Sequence, residues 1–229
     1  MFYFYLMMML NLFSMFDPQI LNYSLNWMST MIILILLPQM YWMMNSRLIY
    51  LFILLFMTLW LEFKLIMKLN FNMNNLIYFI LLFLFILFNN FMGLFPYIFT
   101  SSSHLVYSLI FSLSMWLGLM LFGWLKNTIY MLAHLVPQGT PFMLMFFMVF
   151  IELLSSIIRP LTLSIRLTAN MIAGHLLLTL LSLYVPSSFF LYFMFLLIQL
   201  MLMLLEMAVS AIQSYVFVAL MILYLKETN

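Results

Sequence analysis

The amino-acid sequence predicts an all-α integral membrane protein. It is expected to have about five membrane-embedded helices plus one interfacial helix, the last two embedded helices forming a long, steeply tilted antiparallel hairpin. Three observations carry that prediction. First, of 229 residues 69% are hydrophobic and 5% charged, and the mean hydropathy is +1.24. An average soluble domain is about 25% charged. Seven basic and five acidic residues cannot cover a water-soluble surface of this size, so soluble enzymes, nucleic-acid binders and disordered segments are excluded together. Second, runs such as Ile77 to Phe88 do not alternate apolar and polar residues, as a transmembrane β-strand of roughly 10 residues would. Third, the last two apolar segments are each far longer than one perpendicular crossing needs. With no Cys there is no disulfide framework and no thiolate metal site, and the net charge of +2 says little.

The elements follow in order. A spanning helix needs about 20 apolar residues for a hydrocarbon core of about 30 Å. The first candidate is 20–44, with Pro38 inside it and Tyr41 and Trp42 at the interface, where amphipathic rings settle. Next, 47–68 is expected to lie in the interface. Its apolar part, Leu48 to Leu61, would be only about 21 Å long as helix, and it is bounded by Arg47 and by Glu62, Lys64 and Lys68. That placement puts Arg47, Lys64, Lys68, Lys126 and Lys226 on one side, as the positive-inside pattern asks. Spans at 74–95 and 104–124 come next. The loop at 125–141 carries Pro137, Gly139 and Pro141, which break helix. From 142 to 184 there is no comparable break. Helix of that length is about 65 Å, roughly twice the membrane thickness. A tilted helix kinked at Pro160 fits better than two spans, since no Gly or Asn stands near Arg159-Pro160 to make a turn. Pro186-Ser187-Ser188 turns the chain into a second long helix at 189–225. No internal repeat supports an inverted-repeat transporter. The expected topology has the N-terminus outside and the C-terminus inside, within the single membrane domain 1–229.

Met and Phe each occur 26 times against 5 Gly, a bias that suggests an AT-rich coding genome. The opening Met1-Phe2-Tyr3-Phe4-Tyr5 has no Arg-rich, Ser-rich transit segment. So hydrophobic a chain suggests synthesis inside an organelle, with a bacterial origin as the alternative.

The informative polar residues stand inside span sequence. Glu152, Arg159 and Arg166 are seven apart and share one helix stripe, which Asn170 joins. His175, nine beyond Arg166, points to the opposite side. On the last helix Gln199, Glu206 and Gln213 are again seven apart, with Ser210 between the latter two. A hairpin turning at Pro186 would bring Arg166 and Glu206 to about the same height, with Gln213 within reach. An Arg at the bilayer centre costs about 2.5 to more than 10 kcal/mol, so such residues face a partner or a water-filled path. Hairpin glue is the alternative, worth about 0.6–2 kcal/mol per hydrogen bond. Two Arg and two Glu with a His favour a proton or ion path. Five of the six Ala fall between 169 and 219, Ala169 and Ala173 being four apart beside Asn170 and Gly174. That concentration marks a close-packing surface for the hairpin or for another protein. His104 and His134 read as interfacial hydrogen-bonders. No two His face each other mid-span, so haem is not expected, and no cofactor or metal is implied.

At these residues the sequence resembles a known family. Leu135-Val136-Pro137-Gln138-Gly139-Thr140-Pro141 is similar to its loop, and Arg166-Leu167-Thr168-Ala169-Asn170-Met171-Ile172-Ala173-Gly174-His175-Leu176 to its most specific motif. Glu206-Met207-Ala208-Val209-Ser210-Ala211-Ile212-Gln213-Ser214-Tyr215-Val216-Phe217 is similar to its last helix. Asn11-Leu12-Phe13-Ser14-Met15-Phe16-Asp17-Pro18 resembles the mitochondrial arthropod form of the N-terminus. The family is subunit a, or subunit 6, of the F-type ATP synthase, and the likeness covers essentially the whole chain.

The resemblance implies a non-catalytic stator subunit of the mitochondrial inner membrane, its N-terminus toward the intermembrane space and its C-terminus toward the matrix. Its partners would be a ring of c subunits, other stator and membrane-sector subunits, the lipid bilayer and protons. The family's essential cation falls on Arg166, with Asn170 and Gln213 as polar neighbours. His175 and Glu206 fall on the inlet half-channel and Glu152 on the outlet half-channel. Arg159 departs from branches with an uncharged residue there. It either disturbs the outlet path or pairs with Glu152.

The physics agrees with that assignment. A guanidinium keeps its charge at any working pH. Near a ring carboxylate it favours the ionised form, so the proton leaves before the site passes. At roughly 4 Å and an effective dielectric of about 20 the attraction is about 4 kcal/mol, and desolvation offsets enough of it for release. A proton crossing 100 mV gains about 2.3 kcal/mol. No phosphate-binding loop is present, so phosphoryl chemistry is not expected of this chain. A proton-coupled secondary transporter and a purely structural respiratory-complex subunit are the rival readings.

Overall fold

The computed structural model describes residues 12–19, 23–31, 35, 44, 46–67, 73–95, 98–136, 139, 141–184 and 188–228. The architecture is all-α. Helices α1 (Arg47–Met67), α2 (Met73–Gly93), α3 (Leu105–Lys126), α4 (Thr128–His134), α5 (Phe142–Leu183) and α6 (Phe189–Thr228) follow one another, with 3₁₀ turns at Leu12–Phe16, Leu25–Met31 and Ser101–Ser103. Five of them, all but α4, are long and apolar enough to cross a membrane. Most of the expected span at 20–44 lies outside the described residues. Within it, Leu25–Met31 forms a 3₁₀ turn packed on the loop before α3, where Trp27 meets Phe99 and His104.

Helix α1 matches the expected helix at 47–68, while the loop at 125–141 departs from expectation. The interfacial reading of 47–68 rested on fourteen apolar residues. The helix itself runs on through Glu62 and Lys64, which gives α1 a length of 21 residues, about 31 Å. It runs antiparallel along α2. Phe52 meets Phe88 near one end, and Phe56 and Trp60 flank a cavity with Ile77 and Leu81 nearer the other. The flanking charges did not stop the helix, because long side chains near a helix end can reach the interface while the backbone continues. In the loop at 125–141, the seven residues of α4 form a helix between Asn127 and Leu135. Gly139 takes a φ of 89°, which glycine adopts without strain. Pro137, Gln138 and Thr140 lie outside the described residues.

The core lies between α2 and the second half of α6. Leu76, Phe79, Ile80, Phe83 and Ile86 pack on Phe217, Val218, Met221, Ile222 and Leu225, joined by Phe63 of α1 and Leu163 and Leu167 of α5. In lipid this contact gains no expulsion of water. It is held by dispersion and by small residues that let backbones approach. Ser108 and Ser112 of α3, Ser164 and Thr168 of α5, and Ser210 and Ser214 of α6 are all buried. Each hydroxyl donates to a carbonyl of its own helix one turn back. Small side chains with internally satisfied hydroxyls cost little to bury in hydrocarbon.

Helix α5 continues unbroken through Pro160 for 42 residues and α6 for 40, about 63 and 60 Å. Against a core of about 30 Å, such helices must tilt steeply or project from it.

Candidate functional site

Helix α5 presents two faces. Pro160, Leu163, Ser164, Leu167, Thr168, Met171 and His175 recur at three and four residues and are buried against the bundle. The face bearing Arg166, Ala169 and Ala173 is exposed, with Asn170 half-buried at its edge. The opposition of Arg166 and His175 follows from their spacing of nine residues. Among the described residues no hydrogen bond or ion pair engages Arg166.

Outward of Arg166 lies an inner recess of the hairpin. Gly174 of α5 abuts the Glu206 side chain of α6. A Cβ on Gly174 would lie 2.9 Å from Glu206 Cδ and from Oε1. Glu206 is 8% exposed, and among the described residues neither carboxyl oxygen has a hydrogen-bond partner; nor has His175 Nε2. Beside them a cavity of about 340 Å³ is lined by His175, Thr179, Ser182, Gln199 and Thr100 among others. The rest of the wall is apolar, so water would settle along this polar side, next to the unpaired groups.

The hairpin register differs from a symmetrical turn about Pro186. Glu206 is level with Gly174, eight residues and about 12 Å outward of Arg166, instead of level with Arg166. Helix α6 takes 17 residues from Phe189 to reach this contact, while α5 takes nine from it to Leu183. The arms are unequal, and Phe189–Leu205 is almost wholly exposed. Seven residues inward on both helices the register brings Leu167, next to Arg166, level with half-buried Gln213. Gln213 and not Glu206 therefore shares the height of Arg166.

Inward of Arg166 lies the second polar group. Arg159 Nη1 donates to Glu227 Oε2 at 2.5 Å, and Nη2 lies 3.8 Å from Glu152 Oε1. The guanidinium stands 5.5 Å from the centre of the Tyr224 ring. A cavity of about 60 Å³ is bordered by these four residues, His134 and Thr228. Of the two readings open for Arg159, pairing with Glu152 occurs, but Glu227 is the closer partner. Glu227 stands at the far end of α6, 68 residues on, and only the true hairpin register would have revealed it.

Gly174 and Phe16 were likewise missed. Gly174 is one of only five glycines, which was a usable signal; the contact of Phe16 with the His175 ring gave none in the sequence. His104 packs between Trp27 and Phe99, away from both cavities. Among the described residues no cluster of three His, Asp or Glu could hold a metal ion.

Comparison with known proteins bears directly on this arrangement. The family described as ATP synthase A chain matches residues 25–226. ATP synthase subunit a of Drosophila melanogaster is 55% identical over 224 residues, covering 97% of this chain and all of the relative. The Aedes aegypti subunit a is 51% identical over 226 residues, again with 97% and 100% coverage. That of Locusta migratoria is 52% identical over 223 residues, with 96% and 99% coverage. A family match over residues 25–226, which include Glu152, Arg159, Arg166, His175 and Glu206, together with relatives above half identical over nearly the whole length, shows that this multi-pass membrane chain belongs to the ATP synthase A chain family.

Proposed function

We propose that the two cavities, each bordered by titratable side chains, are proton half-channels and that Arg166 keeps them apart while facing a ring of c subunits. In this reading the chain is the non-catalytic, proton-translocating stator subunit of the synthase membrane sector. It loads and unloads the ring carboxylates and so couples the proton-motive force to rotation and ATP synthesis. The observation that carries the reading is the order along α5. Buried His175 and Glu206, whose Nε2 and carboxyl oxygens have no hydrogen-bond partner among the described residues, stand on one side of an exposed Arg166, and the Glu152–Arg159–Glu227 group on the other. The spacings are about 13 Å and about 10 Å along the helix.

Each residue then has a role. His175 and Glu206 pass protons from the inlet cavity to a ring carboxylate. Glu152 takes them at the outlet, where Arg159 and Glu227 hold it in an ionic group. Asn170 and Gln213 flank Arg166 as polar neighbours. The guanidinium favours ionisation of each passing carboxylate by about 4 kcal/mol at roughly 4 Å before desolvation. As a fixed cation it also bars a proton from crossing directly between the cavities.

Sidedness follows from charge. Lys64, Lys126 and Lys226 stand at the α1, α3 and α6 ends nearest the Arg159 group, which supports a matrix location for that end and an intermembrane-space location for the His175 cavity. In this reading the chain sits in the mitochondrial inner membrane, with the N-terminal turn on the intermembrane-space side and the C-terminus on the matrix side. Arg47 at the opposite end of α1 is the one basic residue that would not follow the rule if α1 spans.

The test is Arg166→Lys in the assembled synthase. Proton-driven ATP synthesis is expected to vanish while native gels still show the complete complex with its small c subunit. Retained coupling would sink the reading in favour of a transporter or a structural subunit.

A further inference from the structure

The motif Asn11 to Pro18 plays no part in the proton path described above, yet its turn lies at the outer cavity. Met15 and Phe16 form part of the cavity wall, together with Thr100, His175, Thr179 and Gln199. The Phe16 ring stands edge-on to the His175 imidazole, centroids 6.3 Å apart at 87°, and is backed by Phe13 at 6.4 Å. The chain just past Phe16 is fixed. The Asp17 carboxylate accepts the Gln19 N–H at 3.2 Å, and the Asp17 carbonyl accepts from Asn26 Nδ2 at 3.2 Å. The turn bearing Asn26 is fastened in its turn. Ser29 Oγ donates to the Phe99 carbonyl at 3.2 Å, and Trp27 packs on Phe99 and His104. Ile98 and Thr100, on either side of Phe99, belong to the same cavity wall. The segment is therefore anchored on one side to the loop before α3 and on the other to His175 of α5.

We propose that the turns Leu12–Phe16 and Leu25–Met31 form a strap across the outer mouth of the inlet cavity, and that Phe16 is a positioning residue that holds the His175 ring and narrows solvent access to it. The proposal rests on the inlet reading of that cavity. An aromatic edge against the imidazole favours one ring orientation. An apolar wall at the mouth makes water and protons pass the polar residues in place of the lipid-facing rim. The strap has few buried contacts of its own, so it belongs to the easily opened part of the fold.

The chain has no cysteine, so a single reporter can be introduced. Leu178→Cys places a thiol on the cavity wall one turn from His175. A membrane-impermeant methanethiosulfonate is applied from the intermembrane-space side to the assembled synthase, and the labelling rate is followed together with proton-driven ATP synthesis. Adding Phe16→Ala is expected to raise the labelling rate about three- to tenfold, the range that loss of one aromatic contact allows. Phe16→Tyr is expected to keep the slow rate. Equal rates in Leu178→Cys with and without Phe16→Ala would overturn the strap. Should Phe16→Ala fail to assemble on a native gel, Phe16→Cys replaces it. Attaching the reagent there is expected to stop ATP synthesis, and undiminished synthesis after complete labelling overturns the proposal. The inlet reading fails separately. If full labelling at Leu178→Cys leaves ATP synthesis intact, the cavity does not carry the proton flux whatever Phe16 does.

Discussion

Gly174 has no side chain, and Glu206 occupies the space one would fill. Because the nearest atoms are the far end of a flexible carboxylate side chain, Gly174→Ala need not disturb the backbone, but it must move that carboxylate. The expected outcome is an assembled synthase whose proton-driven ATP synthesis falls by about ten- to a hundredfold, the usual effect of an ångström-scale misplacement. ATP synthesis at the wild-type rate in membranes with normal complex content would show that Glu206 needs no fixed position. At Arg166 the argument is of the opposite kind. Its stripe and its opposition to His175 could be read from spacings of seven and nine residues. Its exposed setting could not, since spacing gives faces but does not say which face the bundle covers. Most residues of the two polar groups were legible in the polar pattern. Their partners were not, because Arg159 meets Glu227 only through the register of two tilted helices.

At the scale of elements, the α5–α6 hairpin fixes that register through two contacts, Gly174 with Glu206 and Arg159 with Glu227. The second is about one-third to one-half exposed, so its net contribution to stability is small, about 0–1 kcal/mol. Its value is positional. Arg159→Gln and Glu227→Gln should each slow proton release, and the double variant should be no worse than the poorer single one. A cycle of ATP-synthesis rates measures this, and simple additivity would mean that the two residues act independently. Helix α1 makes a second test. Packed antiparallel on α2, it carries Arg47 and Lys64 toward opposite ends. Cysteines placed at Leu48 and Lys64 should therefore react with an impermeant reagent from opposite sides. Reaction from one side would return α1 to the interface, where its charges favour it. The bounds of this helix were legible in the sequence; its placement was not, because Glu62 and Lys64 read as interfacial flanks although the helix backbone runs through them.

On the scale of the whole molecule, the bundle is finished on one side only. The α2–α6 core is fully packed, while the face of α5 bearing Arg166, Ala169 and Ala173 is open, as are Ala208 and Ile212 of α6. Lipid could cover that face, but lipid does not explain why alanine, scarce elsewhere, gathers beside an exposed guanidinium. Small residues matter only where another backbone comes close. A rotor helix bearing a carboxylate must approach within a few ångströms for the attraction to Arg166 to reach about 4 kcal/mol, and doubling a separation of roughly 4 Å halves it. Ala173→Phe therefore separates two properties of the chain. Because Ala173 faces away from the core, insertion and folding of the subunit should be unchanged. In the proposed arrangement, however, the ring would be pushed away from Arg166, and proton-driven ATP synthesis should fall about tenfold or more, the factor that a loss of roughly 1.4 kcal/mol produces. Ala173→Ser, of similar size, should retain most of the rate. Should Ala173→Phe couple as well as the parent, the open face would be lipid-facing, and the ring would have to pass Arg166 along a different line.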